Sequence, residues 1–201
     1  MEQLDGLCVH DCTRCPDLVD SRSRIVNGLG PDDADLLFVG EGPGKNEDEQ
    51  GEPFVGRSGS VLDDALSEAG VLREEVRITN CVRCRPPENR DPTTEELANC
   101  RGYLEAEIEA VDPTVVITLG KVPSEHLLER SVGITNEAGD IVEPRLGDRP
   151  QRVLLSVHPA ATLYDRSQRE GFFETIARAV DIAGLGDGEG SGDGQSRLGD
   201  Y

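Results

Sequence analysis

The feature that most restricts the fold is a short apolar run that recurs along the chain and each time empties into a polar or glycine-bearing loop. Leu36-Leu37-Phe38-Val39, Val76-Arg77-Ile78-Thr79, Val115-Val116-Ile117-Thr118-Leu119 and Val153-Leu154-Leu155-Ser156-Val157 are too short for helices and rich in branched side chains, so they read as buried strands. Segments with helical spacing lie between them. Ser58 to Ala69 places Val61, Leu62, Ala65, Leu66 and Ala69 on one face. A second helix opens at Thr94 and runs to about Ala110, where Pro113 blocks continuation; a third follows Gly120 to about Arg130, and a last one spans Ser167 to Ala183. Ser131 to Pro150 reads as a small hairpin or loop. Strands that lead repeatedly into helices imply parallel pairing through right-handed crossovers, hence a three-layer α/β/α sandwich around a mostly parallel four-stranded sheet. The 201 residues fit one domain, residues 1–183, followed at 184–201 by an acidic tail rich in Gly, Asp and Ser that offers little to pack.

In sheets of this kind a ligand site forms beyond the C-terminal ends of the strands. Three polar loops begin at those ends: Gly40-Glu41-Gly42, Asn80-Cys81 and His158-Pro159. Their convergence points to the site without reference to any relative.

Formal net charge is −20, from 40 acids against 20 bases, and only Lys45 and Lys121 among the bases are lysines. Carboxylates spread along the whole chain repel one another in ordinary salt, whereas molar salt screens them to a Debye length of about 3 Å. This favours the cytoplasm of a salt-loving organism, a haloarchaeon. Against the overall charge, Arg77, Arg83, Arg85 and Arg90 face Glu88 alone over their stretch. That stretch is either a phosphate-binding patch or a set of arginines answering nearby acids. No apolar run approaches the roughly 18 residues of a membrane span, and the N-terminus lacks a basic region followed by an apolar stretch.

Six cysteines in a reducing compartment point to ligands or reactive thiols rather than disulfides. Cys12 and Cys15 with Cys81 and Cys84 form two close pairs suited to zinc; Cys12, Cys15, Cys84 and Cys100 suit zinc or a 4Fe–4S cluster equally well. Spacing does not decide between them.

The loops carry a more specific signal. Gly40-Glu41-Gly42-Pro43-Gly44, Glu47-Asp48, Gly51-Glu52-Pro53-Phe54-Val55-Gly56-Arg57 and Gly59 resemble the first signature of the family-four, iron–sulfur uracil-DNA glycosylases of thermophiles and archaea. Ile78-Thr79-Asn80, with Cys84-Arg85-Pro86-Pro87 and Asn89-Arg90, resembles the middle signature, and His158-Pro159-Ala160 the last. The resemblance covers about residues 8 to 183. It implies a 4Fe–4S cluster, structural rather than redox-active, on Cys12, Cys15, Cys84 and Cys100, and a base-excision repair enzyme that hydrolyses the N-glycosidic bond of deoxyuridine in DNA. The expected partner is uracil-containing DNA with the target nucleotide flipped out, acted on by a cytoplasmic monomer that hands its product to downstream repair proteins.

Such an enzyme must take its base out of the stack. Phe54, an aromatic in a glycine-rich loop, is the expected stacking surface. Asn80 can donate to uracil O4 and accept from N3–H, a pattern that cytosine reverses. His158 can stabilise the charge that develops on uracil O2. Glu41, directly after the first strand, is the first choice to orient water and offset positive charge on the sugar. Glu47 is the rival, with a position near uracil C5 where it would obstruct the thymine methyl; the two glutamates could exchange these roles. Gly42 and Asn89 complete the expected pocket. Arg57, Arg85 and Arg90 are phosphate candidates, and Leu163, with Tyr164, either wedges into the DNA or packs the start of the last helix. Relatives that trap the sugar covalently carry a basic, histidine-bearing insertion after the first signature; it is absent here, so turnover with water is expected.

Overall fold

The computed structural model describes residues 3–186. A five-stranded sheet forms its centre, built from β3 (Leu36–Gly40), β4 (Arg77–Asn80), β5 (Val115–Leu119), β6 (Ile141–Val142) and β9 (Val153–Ser156) in the order β4-β3-β5-β9-β6. The first four in that order are parallel, and β6 joins the far edge antiparallel to β9. Two small antiparallel pairs lie outside it: β1 (Gln3–Asp5) with β2 (Cys8–His10), and β7 (Arg145–Leu146) with β8 (Arg149–Pro150). The helices are α1 (Pro16–Ser21), α2 (Lys45–Gln50), α3 (Arg57–Glu68), α4 (Thr94–Val111), α5 (Lys121–Leu128), α6 (Ile134–Glu137) and α7 (Arg166–Ala183).

Alternation of side chains along each strand divides the interior into two cores. Leu36 and Phe38 of β3, Ile78, Ile117 and Leu154 turn to one face, where Leu62 and Leu66 of α3 and Phe172 and Ile176 of α7 cover them. Leu37 and Val39, Val116 and Leu155 turn to the other face, against Leu104 and Ile108 of α4 and Leu127 of α5. Both faces being covered explains why the strands read as continuous apolar runs rather than alternating ones. The expected three-layer sandwich is therefore present, widened by one antiparallel edge strand.

Helix α4 begins at Thr94, as its spacing predicts, with Thr93 as its N-cap. Thr93 accepts from the Glu96 amide at 3.2 Å while Glu96 Oε2 accepts from the Thr93 amide at 2.7 Å, a reciprocal cap that contributes about 1 kcal/mol. The helix ends at Asp112, left-handed at φ 52°, immediately before Pro113. Helix α7 closes on Gly184 at φ 71°, and residues 187–201 of the expected tail lie outside the described residues.

The arginine-rich stretch is resolved in favour of ion pairing for two of its members. Arg77 and Arg83 are buried and converge on Glu107, which α4 carries beneath the sheet: Arg77 Nε donates to Oε1 at 2.6 Å, and Arg83 Nη2 to Oε2 at 2.8 Å. Thr79 Oγ1 donates to the same Oε2 at 2.8 Å. Gly28 permits this packing, since a Cβ there would stand 2.0 Å from Glu107 Oε1. Arg77 also reaches exposed Asp32 at 2.7 Å, and Arg83 holds Leu7 O and Asn27. Neither guanidinium is free for phosphate.

Candidate active site

The C-terminal ends of β3, β4 and β9 bring Glu41, Asn80 and His158 to one end of the sheet, as the loop pattern predicts. Gly40 and Asn80 are register partners across β3 and β4. A Cβ at Gly40 would lie 2.4 Å from Asn80 Oδ1 and 2.5 Å from the Phe54 ring, so the missing side chain lets the amide and the aromatic ring pack directly against the Gly40 backbone. Phe54 in turn meets His158 with ring centroids 5.9 Å apart and planes tilted by 30°. Asn80 is buried, and its Oδ1 has no hydrogen-bond partner among the described residues. Such an acceptor costs about 1–3 kcal/mol in desolvation unless something supplies a donor. His126 Nε2 and Arg149 Nη2 share that state, but they belong to α5 and β8 rather than to the loops at the strand ends.

Phe54 departs from expectation. It is buried rather than exposed, packed into the α3/α7-side core, and it adopts a left-handed backbone at φ 54°. That conformation costs a non-glycine residue about 1–2 kcal/mol, so the surroundings must impose it. Glu47 does much of this. Its Oε1 accepts from the amides of Val55 at 3.2 Å and Gly56 at 3.1 Å, while Oε2 accepts from Gly44 at 3.1 Å, stitching the start of α2 to the loop that presents Phe54. Arg73 Nη2 grips Pro53 O at 2.6 Å, and Gly59 gives room to Phe54 O, which a Cβ would approach to 1.8 Å. The Glu47 oxygens are thus engaged in shaping the pocket.

His158 is fixed by its own loop. Nδ1 accepts from the Ala160 amide at 3.1 Å, so a neutral ring carries its proton on Nε2, which is left as a donor. Burial pushes the ring's pKa down, against an opposing pull from Glu47, so the neutral form is favoured. Glu41 is half-buried and its pKa is pushed up to about 7, first by burial and then by the charge of, and a hydrogen bond with, Asp91. Asp91 has no place in the sequence reading; the loop that carries it lies against Gly42, where a Cβ would stand 2.7 Å from Val82 and 3.9 Å from both Pro86 and Pro92. An Asp-Pro pair just after the middle signature is the one local hint of it.

The outer residues divide. Arg90 forks onto Glu96 at 2.8 and 2.7 Å, and Arg85 Nε donates to Asn89 Oδ1 at 2.7 Å on the surface. Asn89 is exposed and left-handed at φ 53°, and its Oδ1 is engaged by Arg85. Arg57 is exposed at the first turn of α3. Leu163 packs partly into the core, whereas Tyr164 beside it is 84% exposed.

The cysteine expectations require correction. Cys12 and Cys100 share a small core with Val9, Val82 and Tyr103, and Cys81 is buried in the core beneath α4. Among the described residues, however, no group of three or more His, Cys, Asp or Glu side chains is placed to hold a metal ion. The thiols have other surroundings: Arg22 Nη1 donates to Cys84 Sγ at 2.9 Å, Asn99 Nδ2 to Cys15 Sγ at 3.5 Å, and burial raises the pKa of Cys15, Cys84 and Cys100, which favours thiol over thiolate. Neither the 4Fe–4S cluster on Cys12, Cys15, Cys84 and Cys100 nor zinc on the Cys81 pair is supported. Spacing orders thiols along the chain but does not aim their sulfurs at one point.

The model of the uracil DNA glycosylase superfamily matches residues 27–180. A type-4 uracil-DNA glycosylase of Archaeoglobus fulgidus is 36% identical over 190 residues, covering 92% of this chain and 95% of the relative. The chain belongs to the type-4 uracil-DNA glycosylases. A second member of that family, from Thermotoga maritima, is 43% identical over 174 residues, covering 85% of the chain and 88% of the relative. A type-5 uracil-DNA glycosylase of Thermus thermophilus is more distant, 30% identical over 209 residues, with 87% and 94% covered. None of these supports the expected haloarchaeal source, which is withdrawn. A surplus of carboxylates sets self-repulsion and the response to salt, not lineage.

Proposed function

We propose the following division of labour for an enzyme of base-excision repair that removes uracil from DNA by hydrolysing its N-glycosidic bond. The observation that carries it is the buried Asn80 Oδ1, which has no partner among the described residues and lies, with the Phe54 ring, against Gly40. Uracil N3–H supplies the donor that this oxygen lacks, and the amide NH2 of Asn80 then faces O4; cytosine, with an acceptor at N3 and a donor at C4, would oppose both. Phe54 stacks on the flipped base, and Gly42 lets the backbone approach it.

As the bond from C1′ to uracil N1 breaks, its electron pair moves into the base. The neutral His158 donates from Nε2 to O2, where negative charge collects, without having to give up a formal charge of its own. Glu41 in its ionised form opposes the positive charge on the sugar and accepts a proton from the water whose oxygen bonds to C1′. Glu47 holds the pocket loop and keeps the C5 side of the base close-packed. Arg57 and Arg85 contact phosphates, Asn89 orients Arg85, and Arg90 acts with Glu96 to hold the loop between them. Leu163 supports the loop from which Tyr164 meets the DNA.

Residues 1–183 act as one catalytic domain, as a monomer in the cytoplasm that passes its abasic product to later repair steps. Among the described residues, no helix is long and apolar enough to cross a membrane. The decisive assay is release of uracil from a labelled single-stranded oligonucleotide, followed by alkaline cleavage, at low salt and in molar KCl. The wild type yields an abasic product that Asn80→Ala reduces by about 10–100-fold, the equivalent of about 1–3 kcal/mol. No product in either salt would reject the reading.

A further inference from the structure

Phe54 keeps its left-handed backbone against its own preference, and two different side chains hold the two peptide planes that set it. A residue's φ follows the orientation of the peptide before it, and its ψ that of the peptide after it. The peptide after Phe54 carries the Val55 amide, from which Glu47 Oε1 accepts at 3.2 Å. The peptide before it carries Pro53 O, and Arg73 Nη2 donates to that oxygen at 2.6 Å. Arg73 is half-buried in the short 3₁₀ turn Arg73–Glu75 ahead of β4, and its Nη1 is paired with Asp63 of α3 at 2.6 Å. One guanidinium thus braces the helix that follows the pocket loop against the carbonyl that precedes Phe54.

We propose that Arg73 is a positioning residue of the uracil-excision reaction, which by holding the Pro53–Phe54 peptide keeps Phe54 left-handed and its ring beside Asn80 and His158. The proposal rests on the reading of Phe54 as the surface on which the flipped base stacks. The ring has little latitude there: a Cβ at Gly40 would meet it at 2.5 Å, and the His158 ring centroid lies 5.9 Å away. Without Arg73 the Pro53–Phe54 peptide loses its hold, φ returns to the negative region, and the ring leaves that position. The left-handed conformer is disfavoured by about 5–30-fold for a non-glycine residue, so only the corresponding minor fraction would present the ring to a base. Arg73 stands 20 residues beyond Pro53 and outside every signature, and it reaches the loop only because the chain turns back after α3.

The test is a double-substitution cycle in single-turnover uracil release, with enzyme in excess of DNA but below saturation, for the wild type, Arg73→Met, Phe54→Ala and the pair combined. A thermal melt of each establishes folding. Arg73→Met keeps the stem and loses the donors, and it should lower the rate about 5–30-fold in the wild-type background. In the Phe54→Ala background it should lower the rate by less than about twofold, because it acts through that ring. Arg73→Lys keeps the charge beside Asp63 but has no fork to serve both partners; it should show the same pattern with a smaller loss, and it stands in if Arg73→Met fails to fold. Labelling with 4-fluorophenylalanine gives a readout apart from activity, since the chain holds four phenylalanines. The Arg73 variants should move the Phe54 fluorine line and leave those of Phe38, Phe172 and Phe173 in place. Equal losses in both backgrounds, or an unmoved Phe54 line in a folded Arg73 variant, overturn the role of Arg73 and leave that of Phe54 standing. A Phe54→Ala enzyme with the wild-type rate overturns the reading of Phe54 and this proposal with it.

Discussion

The two ends of β4 handle buried polarity in opposite ways. At its start, Arg77 and, two residues on, Thr79 turn to the α4 side, where Glu107 accepts from both and from Arg83 besides. At its finish, Asn80 turns to the other side of the sheet, beside Gly40, and its Oδ1 has no partner among the described residues. The same four-residue strand thus carries a charge network complete in itself and a hydrogen-bonding group completed only by a ligand. A satisfied network fixes structure; an unsatisfied atom at the end of a parallel strand marks where binding energy is to be gained.

The strongest way to break this contrast is Glu107→Gln. It keeps the shape of the side chain but leaves two buried guanidinium groups facing a neutral amide, and removing one partner of a buried ionic network costs about 3–5 kcal/mol. Chemical denaturation should show that loss, with uracil excision falling only in proportion to the folded fraction. A change under about 1 kcal/mol would mean that the network is not what ties α4 to β4.

His158→Ala should have the next largest effect, and on rate rather than stability. Loss of a single preorganised donor to a developing anion lowers the rate by about 10²–10³-fold. The donor is the neutral Nε2–H, because Nδ1 is already an acceptor for Ala160. The rate of the wild type should therefore not improve as pH falls toward the range where the imidazole would charge. An increase at low pH would show that the imidazolium is the active form and would remove the reason for burying the ring.

How much of this can be read from residues alone follows from what each feature depends on. The four parallel strands and the long helices α3, α4 and α7 are legible because each is a run whose periodicity is set by its own side chains. Strands β6, β7 and β8 have two residues each, too few for a period, and exist only because neighbouring chain lies alongside. Asn80 and His158 are legible because each follows a strand into a loop. The pairing of Arg77 and Arg83 with Glu107 is not, since 30 and 24 residues separate the partners and only the crossing of α4 over the sheet joins them. For the same reason an arginine-rich stretch resembled a phosphate patch, and two close cysteine pairs resembled a metal site. Burial of Phe54 belongs to the same class, a contact made by a loop that carries no period.

The smallest expected effect is the sharpest test, because it compares adjacent residues. Thr79→Val removes the hydroxyl that donates to Glu107, and the loss of one buried hydrogen bond to a charged group should cost about 1.5–3 kcal/mol of stability. Asn80→Ala removes an acceptor that no donor among the described residues satisfies, so the lost packing is offset by relief of its desolvation, and stability should change by no more than about 0.5 kcal/mol. The same Asn80→Ala variant should gain little in melting temperature from added uracil, whereas Thr79→Val should gain as much as the wild type, since a ligand stabilises only the state that binds it. If Asn80→Ala proved the more destabilising of the two, Asn80 would be a part of the scaffold whose partner forms within the protein. The distinction between the two ends of β4 would then fail.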